Sequence, residues 1–165
     1  MRNAHVLIQQ AALKAVMMML AEAGLEVRLG SIGTGALEQA DKWPLMPDRR
    51  LKWDWRQIVA GYRNDTKRVE VAIWAGNLLC GLDIGRVRPS YVSLDYLEGH
   101  PDPKHPLKGG IIVIALTVLR ALAQAHGRPN MRLIEPLPEL VDLYRGFGFD
   151  YHQPKSEPSY CEMKL

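Results

Sequence analysis

Lys108, Gly109 and Gly110 stand directly before the apolar run IIVIALTVLRALAQA, which is long enough for about four helical turns. The first turn of a helix leaves backbone N–H groups without internal partners, and the macrodipole adds about half a positive charge there. Glycines let a bulky anion come close to those amides, and Lys104, His105 and Lys108 supply basic side chains beside them. The chemistry this mouth suits is capture of a phosphate or diphosphate. The same residues also make a plain loop-to-helix turn, and a short glycine motif does not choose between the two. A second residue invites a functional reading. Asp95, inside VSLDYL, is an unusual occupant of a half-buried strand unless it is hydrogen-bonded or reactive. Strand alternation predicts Ser93, Asp95 and Leu97 on one face, with Leu94 and Tyr96 on the other.

These residues need elements to position them. Residues 4–23 read as a helix, closed by Gly24, and residues 25–32 as a short strand. The stretch GTGALEQADKWPLMPDRR reads as a loop-rich connector with one helical turn. KWDWRQIVAGYR follows as a helix with Trp55, Ile58, Val59 and Tyr62 on one face. RVEVAIW and LLCGLDIGRV then form a hairpin around Ala75-Gly76-Asn77, and YVSLDYLE adds a third antiparallel strand. The long helix from about Gly110 to Ala125 leads into the strand NMRLIEP, the helix PELVDLYRGFG and a closing strand SYCEMKL. Strand, crossover helix, strand makes the segments at 92–98 and 131–135 parallel neighbours. The expected class is α+β: a mixed, mostly antiparallel sheet with one parallel β-α-β pair, flanked by helices, in a single domain over residues 1–165.

Composition excludes little else. Lys and Arg number 21 against 18 Asp and Glu, a net charge of +3, which favours small anions mildly and falls short of a nucleic-acid footprint. Cys80 and Cys161 fit neither zinc spacing nor a disulfide framework, as suits a reducing cytoplasm. His5, His100, His126 and His152 are too scattered for a metal site, and no metal is expected. The N-terminus loosely imitates a secretory signal, but Gln9, Gln10 and Lys14 interrupt it, so an intact amphipathic helix and no membrane span are expected. Its Met17, Met18 and Met19 suit packing on the domain or on a second copy, as in a homodimer.

Three segments resemble the GNAT superfamily of N-acetyltransferases. VAIWAGNLLCGLDIG looks like the family's second and third strands, and KGGIIVIALTVLRALAQAHG like its cofactor helix. LYRGFGFDY matches the L-Y-x-x-x-G-F signature of its penultimate helix. The likeness covers about residues 51–165, an acetyltransferase-like core behind an atypical N-terminal helix and connector at 1–50. The loop differs from the family's [Q/R]-x-x-G-x-[G/A]. Aligned on Gly110 it supplies Leu107, Gly110 and Ile112; ending at Gly110 it supplies His105, Lys108 and Gly110.

What the resemblance implies is direct acetyl transfer from acetyl-CoA to an amine in a cleft where two parallel strands splay. The diphosphate would lie on His105, Lys108, Gly109, Gly110, Ile111 and Ile112, and the pantetheine arm along the main chain of Leu97 and Glu98. Tyr144 matches the tyrosine that protonates the leaving thiolate, and it reads equally as a core residue against Phe147 and Phe149. An attacking amine must lose a proton, for which Asp95 is the first candidate and Glu98 the second; each also reads as a structural carboxylate. Trp53, Trp55 and Tyr62 fall where the family walls its acceptor pocket, at a spacing that also means core. The acceptor would be a small-molecule or protein amine, with aminoacyl-tRNA the one nucleic acid in view. The alternative is a catalytically degenerate module that binds CoA or a partner.

Overall fold

The computed structural model describes residues 2–165. One seven-stranded sheet runs through it, in the order β1-β2-β3-β4-β5-β7-β6. The strands are β1 (Arg28–Gly30), β2 (Arg68–Ala75), β3 (Leu78–Val87), β4 (Tyr91–Gly99), β5 (Asn130–Ile134), β6 (Asp150–His152) and β7 (Tyr160–Lys164). The helices are α1 (Arg2–Glu22), α2 (Thr34–Ala40), α3 (Trp55–Gly61), α4 (Ile111–Ala125) and α5 (Val141–Gly146), with 3-10 turns at Trp43–Leu45 and Pro138–Leu140. Among the described residues only β4 and β5 pair in parallel, and α4 joins them. The fold is the expected α+β arrangement.

Side chains sort onto two faces. Val71, Ile73, Val92, Leu94, Met131 and Leu133 pack with Leu13 and Val16 of α1 and with Ile114, Val118 and Leu122 of α4. On the opposite face Ala72, Leu82 and Ile84 pack with Trp43, Trp55 and Tyr62 from the connector and α3. The β5-β7-β6 half stays open on this second face: Arg132, Ile134, Tyr160 and Glu162 are partly exposed, while Met131, Leu133 and Cys161 behind them are buried.

The connector holds more structure than expected. Thr34–Ala40 is a full helix and Trp43, in the 3-10 turn, is a buried anchor. The next helix is shorter than its apolar pattern, because Asp54 caps it by accepting from Arg56 N–H and Gln57 N–H. β6, three residues long, carries no readable alternation and was not expected.

Among the described residues α1 is the one helix long and apolar enough to cross a membrane, over Ala4–Glu22. Here it lies on the domain, burying Ala12, Leu13 and Val16 and leaving Met18 and Met19 exposed. It also completes the sheet. β1 stops at Gly30, so the edge of β2 away from β3 lacks a strand partner at Arg68 and Glu70. His5 Nε2 donates to the Arg68 carbonyl at 2.7 Å, and Glu70 N–H donates to Gln9 Oε1 at 3.0 Å. Four helical residues rise about 6 Å and two strand residues about 6.6 Å, so an i, i+4 pair can serve alternate edge groups.

Candidate functional site

The site begins with a break in pairing. β4 pairs with β5 only from Tyr91 to Leu94, and Asp95–Gly99 continue with no partner on that side. β5 keeps to β7 up to Ile134, opposite Tyr160. The chain then turns sharply at Glu135 (φ 47), whose N–H donates to the Ser159 carbonyl at 2.7 Å, before Pro136. The result is a fork whose open side presents main-chain groups of β4, Leu97 and Glu98 included.

A bulge shapes the β4 arm. Ile84 pairs with Tyr96 and Gly85 with Leu94, which leaves Asp95 as the extra residue. A Cβ on Gly85 would fall 1.8 Å from the Ser93 carbonyl oxygen, so only glycine fits opposite the bulge. The extra residue reverses the alternation beyond it, which corrects the sequence expectation. Leu97 packs with Leu94 on the α4 face, and Tyr96 packs toward α3. Asp95, Tyr96 and Glu98 therefore share the α3 side.

Asp95 is held there. Ser93 Oγ donates to its Oδ1 at 2.7 Å, and Tyr62 Oη donates to its Oδ2 at 2.5 Å. Burial first, and then the bond to Asp95, raise the Tyr62 phenol above its ordinary range, so it remains a donor. Arg86 lies 3.7 Å from Asp95 Oδ2 and covers the Tyr62 ring at 4.3 Å. Glu98 is buried and bound on both oxygens: Arg49 Nε donates to Oε2 at 2.9 Å and Nη2 to Oε1 at 3.0 Å, while Trp55 Nε1 donates to Oε1 at 2.9 Å. Nothing local in the sequence signals the Arg49 and Trp55 partnership, which closes a long loop. The glycine of LDIG was the readable sign of the bulge.

At the base of the fork, α4 begins with Gly110 as N-cap and no side-chain cap. Gly110 N–H bonds to the Leu107 carbonyl, whereas the amides of Ile111, Ile112 and Val113 meet no backbone acceptor. Gly109 has φ +84 and needs to be glycine; Gly110 does not. The Ile111 side chain is buried on the facing glycines Gly81 and Gly99, where added Cβ atoms would lie 3.1 and 3.5 Å from it. Ile111 thus offers its amide alone. His105 is buried, its Nδ1 accepting from Leu107 N–H at 3.2 Å. Burial lowers its pKa, with His100 and Lys108 adding to the effect. The ring is therefore uncharged at neutral pH, and the positive charge expected of it reduces to exposed Lys104 and Lys108.

Tyr144 on α5 is buried against Phe149, with ring centroids 6.1 Å apart. Burial pushes its phenol up to about 12, with Cys161 contributing, so it stays protonated. Phe147, by contrast, is 42% exposed. Burial also raises the thiols of Cys80 and Cys161. Among the described residues no three His, Cys, Asp or Glu side chains gather as metal ligands. One further acid stands out. Asp83 faces the α1–α4 side between Val71 and Leu97, is buried, and leaves Oδ2 without a hydrogen bond. Burial alone raises its pKa well above 3.8.

Two sizeable clefts lie outside the fork. One, of about 540 Å³, separates α1 from the edge of β2. The other, of about 550 Å³, lies between the Trp43 turn and α3 and is lined by Met46, Arg49, Leu51 and Trp53. Trp53 also meets Tyr96 of β4 edge-on at 5.1 Å, so this cleft adjoins the bulged strand. Trp55 and Tyr62 are buried core residues; Trp55 also lines this cleft and Tyr62 does not.

No family model and no curated protein matches the chain. Solved structures do. The ribosomal-protein-S18-alanine N-acetyltransferase from Escherichia coli is 14% identical with a TM-score of 0.58, over 84% of this chain and 92% of that one. A mutant of the spermidine N-acetyltransferase SpeG from Vibrio cholerae is 13% identical with a TM-score of 0.59, covering 84% and 93%. The N-acetyltransferase PseH from Campylobacter jejuni, solved with acetyl coenzyme A, is 11% identical with a TM-score of 0.60, covering 84% and 99%. The fold of this chain is that of the GNAT acetyltransferases.

Proposed function

We propose that the protein is a cytoplasmic, acetyl-CoA-dependent N-acetyltransferase. The observation that carries the reading is the fork itself: β4 frees its edge after Leu94 where α4 presents three uncapped amides flanked by exposed Lys104 and Lys108. These groups fit a diphosphate, held by the amides of Ile111 and Ile112 and by Lys108, with Gly109 and Gly110 keeping side chains out of the way. The main chain of Leu97 and Glu98 would receive the pantetheine arm. When bound, acetyl-CoA supplies a thioester carbonyl for an amine to attack.

The remaining chemistry belongs to the chain. Tyr144 holds a proton for the departing sulfur. Asp95, at the bulge, is the carboxylate we assign to the amine's proton, reached through water because Ser93 and Tyr62 occupy its oxygens. Glu98 anchors the connector through Arg49 and Trp55 rather than moving a proton. The two thiols are buried and raised in pKa, which supports direct transfer over an acyl-cysteine route. Neighbours of the same fold act, by name, on a protein alanine and on spermidine, and the cleft beside Trp53 is our proposed acceptor entrance here.

A second reading, a CoA-binding module without turnover, is favoured by the engagement of both candidate carboxylates. A screen of amines with acetyl-CoA, read out as free thiol, separates the two. Thiol release that depends on an amine establishes transfer; cofactor binding without release across peptide and polyamine acceptors favours the module.

A further inference from the structure

The net charge of +3 is unevenly placed. Three loops meet at the end of β4 remote from the fork: residues 62–67 before β2, 88–90 before β4 and 126–129 before β5. Bonds among the loops and the strand ends beside them hold them together. Val87 N–H donates to the Lys67 carbonyl at 2.8 Å, Arg128 Nε to the Arg88 carbonyl at 2.6 Å, and Asn130 Nδ2 to the Ser90 carbonyl at 3.3 Å. Together the loops carry Arg63, Lys67, Arg88 and Arg128 against one carboxylate, Asp65. That carboxylate is already taken by Arg86, at 2.5 Å. Arg63, Lys67 and Arg88 are exposed and have no ion-pair partner among the described residues. From this pole the open face of the sheet continues as a row of planar groups. The Arg132 guanidinium, neutralised by Glu162, lies 4.1 Å from both the Tyr91 and the Tyr160 rings, and His152 stacks on Tyr160 at 4.9 Å.

We infer that this basic pole is a docking surface for the phosphodiester backbone of a nucleic acid. Charge complementarity requires a polyanion, because the unpaired cations are spread over separate loops rather than gathered on one small ion. Arginine predominates, and its planar fork matches phosphate oxygens two at a time. Apart from Pro89 and Pro129 the three loops expose no apolar side chain to enter a lipid surface, whereas the hydroxyls and ring nitrogens of the adjoining row suit sugar and phosphate edges. Nine strand residues separate the pole from the open end of β4, roughly 25 Å, so docking leaves the fork free and does not depend on acetyl transfer.

Fluorescence anisotropy with labelled DNA and RNA duplexes of the same sequence tests this. About four phosphate contacts predict a roughly hundredfold loss of affinity between ~50 and ~200 mM salt. The triple variant Arg63→Ala, Lys67→Ala, Arg88→Ala should flatten the log–log salt slope by nearly three, and Arg88→Ala alone by about one. Lys14→Ala with Lys42→Ala, on other surfaces, should leave the slope unchanged. Binding of either duplex supports the inference, and a preference for one names the source. It is overturned by absence of binding at ~50 mM salt, by an unchanged slope in a folded triple variant, or by phosphatidylserine vesicles that bind as tightly as the duplexes.

Discussion

Asp83 and Tyr144 are both buried and both held in their protonated forms by burial, but they should answer to different measurements. For Asp83 the folded state keeps a proton that the unfolded chain loses near its ordinary value of 3.8, so its contribution lowers stability as pH rises above that value. Asp83→Asn should therefore be more stable than the parent at neutral pH, with a flatter pH dependence above 3.8. Urea unfolding across pH would check this, and a variant less stable at pH 7 would show that the carboxylate has a partner. Tyr144→Phe should lower the rate of thiol release at least tenfold while acetyl-CoA affinity stays within twofold, since only the proton is removed. Equal loss of both would make the tyrosine a packing residue. At this scale the sequence was readable for types and opaque for partners. Asp95 stood out by its neighbours, yet Ser93 and Tyr62 bind it through a bulge, and Glu98 gave no hint of Arg49. Such pairings depend on where distant segments come to rest.

The elements were more legible, because periodicity reports which face is buried before any contact is known. β2 to β4, α4, β5 and β7 lie close to their expected bounds, and the parallel β4–β5 pair follows from the crossover between them. Local features without periodicity were missed. β6 is too short to alternate, α2 lies in a connector with no apolar stripe, and one extra residue at Asp95 reversed every later assignment on β4. Two substitutions test what the elements depend on. Gly85→Ala drives a Cβ against the Ser93 carbonyl, so the bulge must rearrange, at a cost of about 3 kcal/mol or more in chemical denaturation. A cost below about 1 kcal/mol would mean the bulge is soft. Arg49→Ala leaves Glu98 buried without its main partner, which predicts a loss of about 3–5 kcal/mol. A nearly neutral result would place the connector's anchor elsewhere, on Trp43 for example.

Across the whole molecule, a helix that no alternation of the core required completes the sheet edge. A weak net charge resolves into a basic pole at one end and a lysine-flanked fork at the other. The fork was foreseeable from the order of elements, while the pole was not, since its cations come from three loops far apart in sequence. The functional account stands on the fork. Calorimetric titration with acetyl-CoA tests it most directly, set beside pantetheine, which lacks the diphosphate, and repeated on Lys108→Glu. A diphosphate-binding fork predicts micromolar binding by the parent, little or none for pantetheine, and at least a tenfold loss, ~1.4 kcal/mol, in the variant. No heat of binding from the folded parent, or equal affinity for acetyl-CoA and pantetheine, would contradict it.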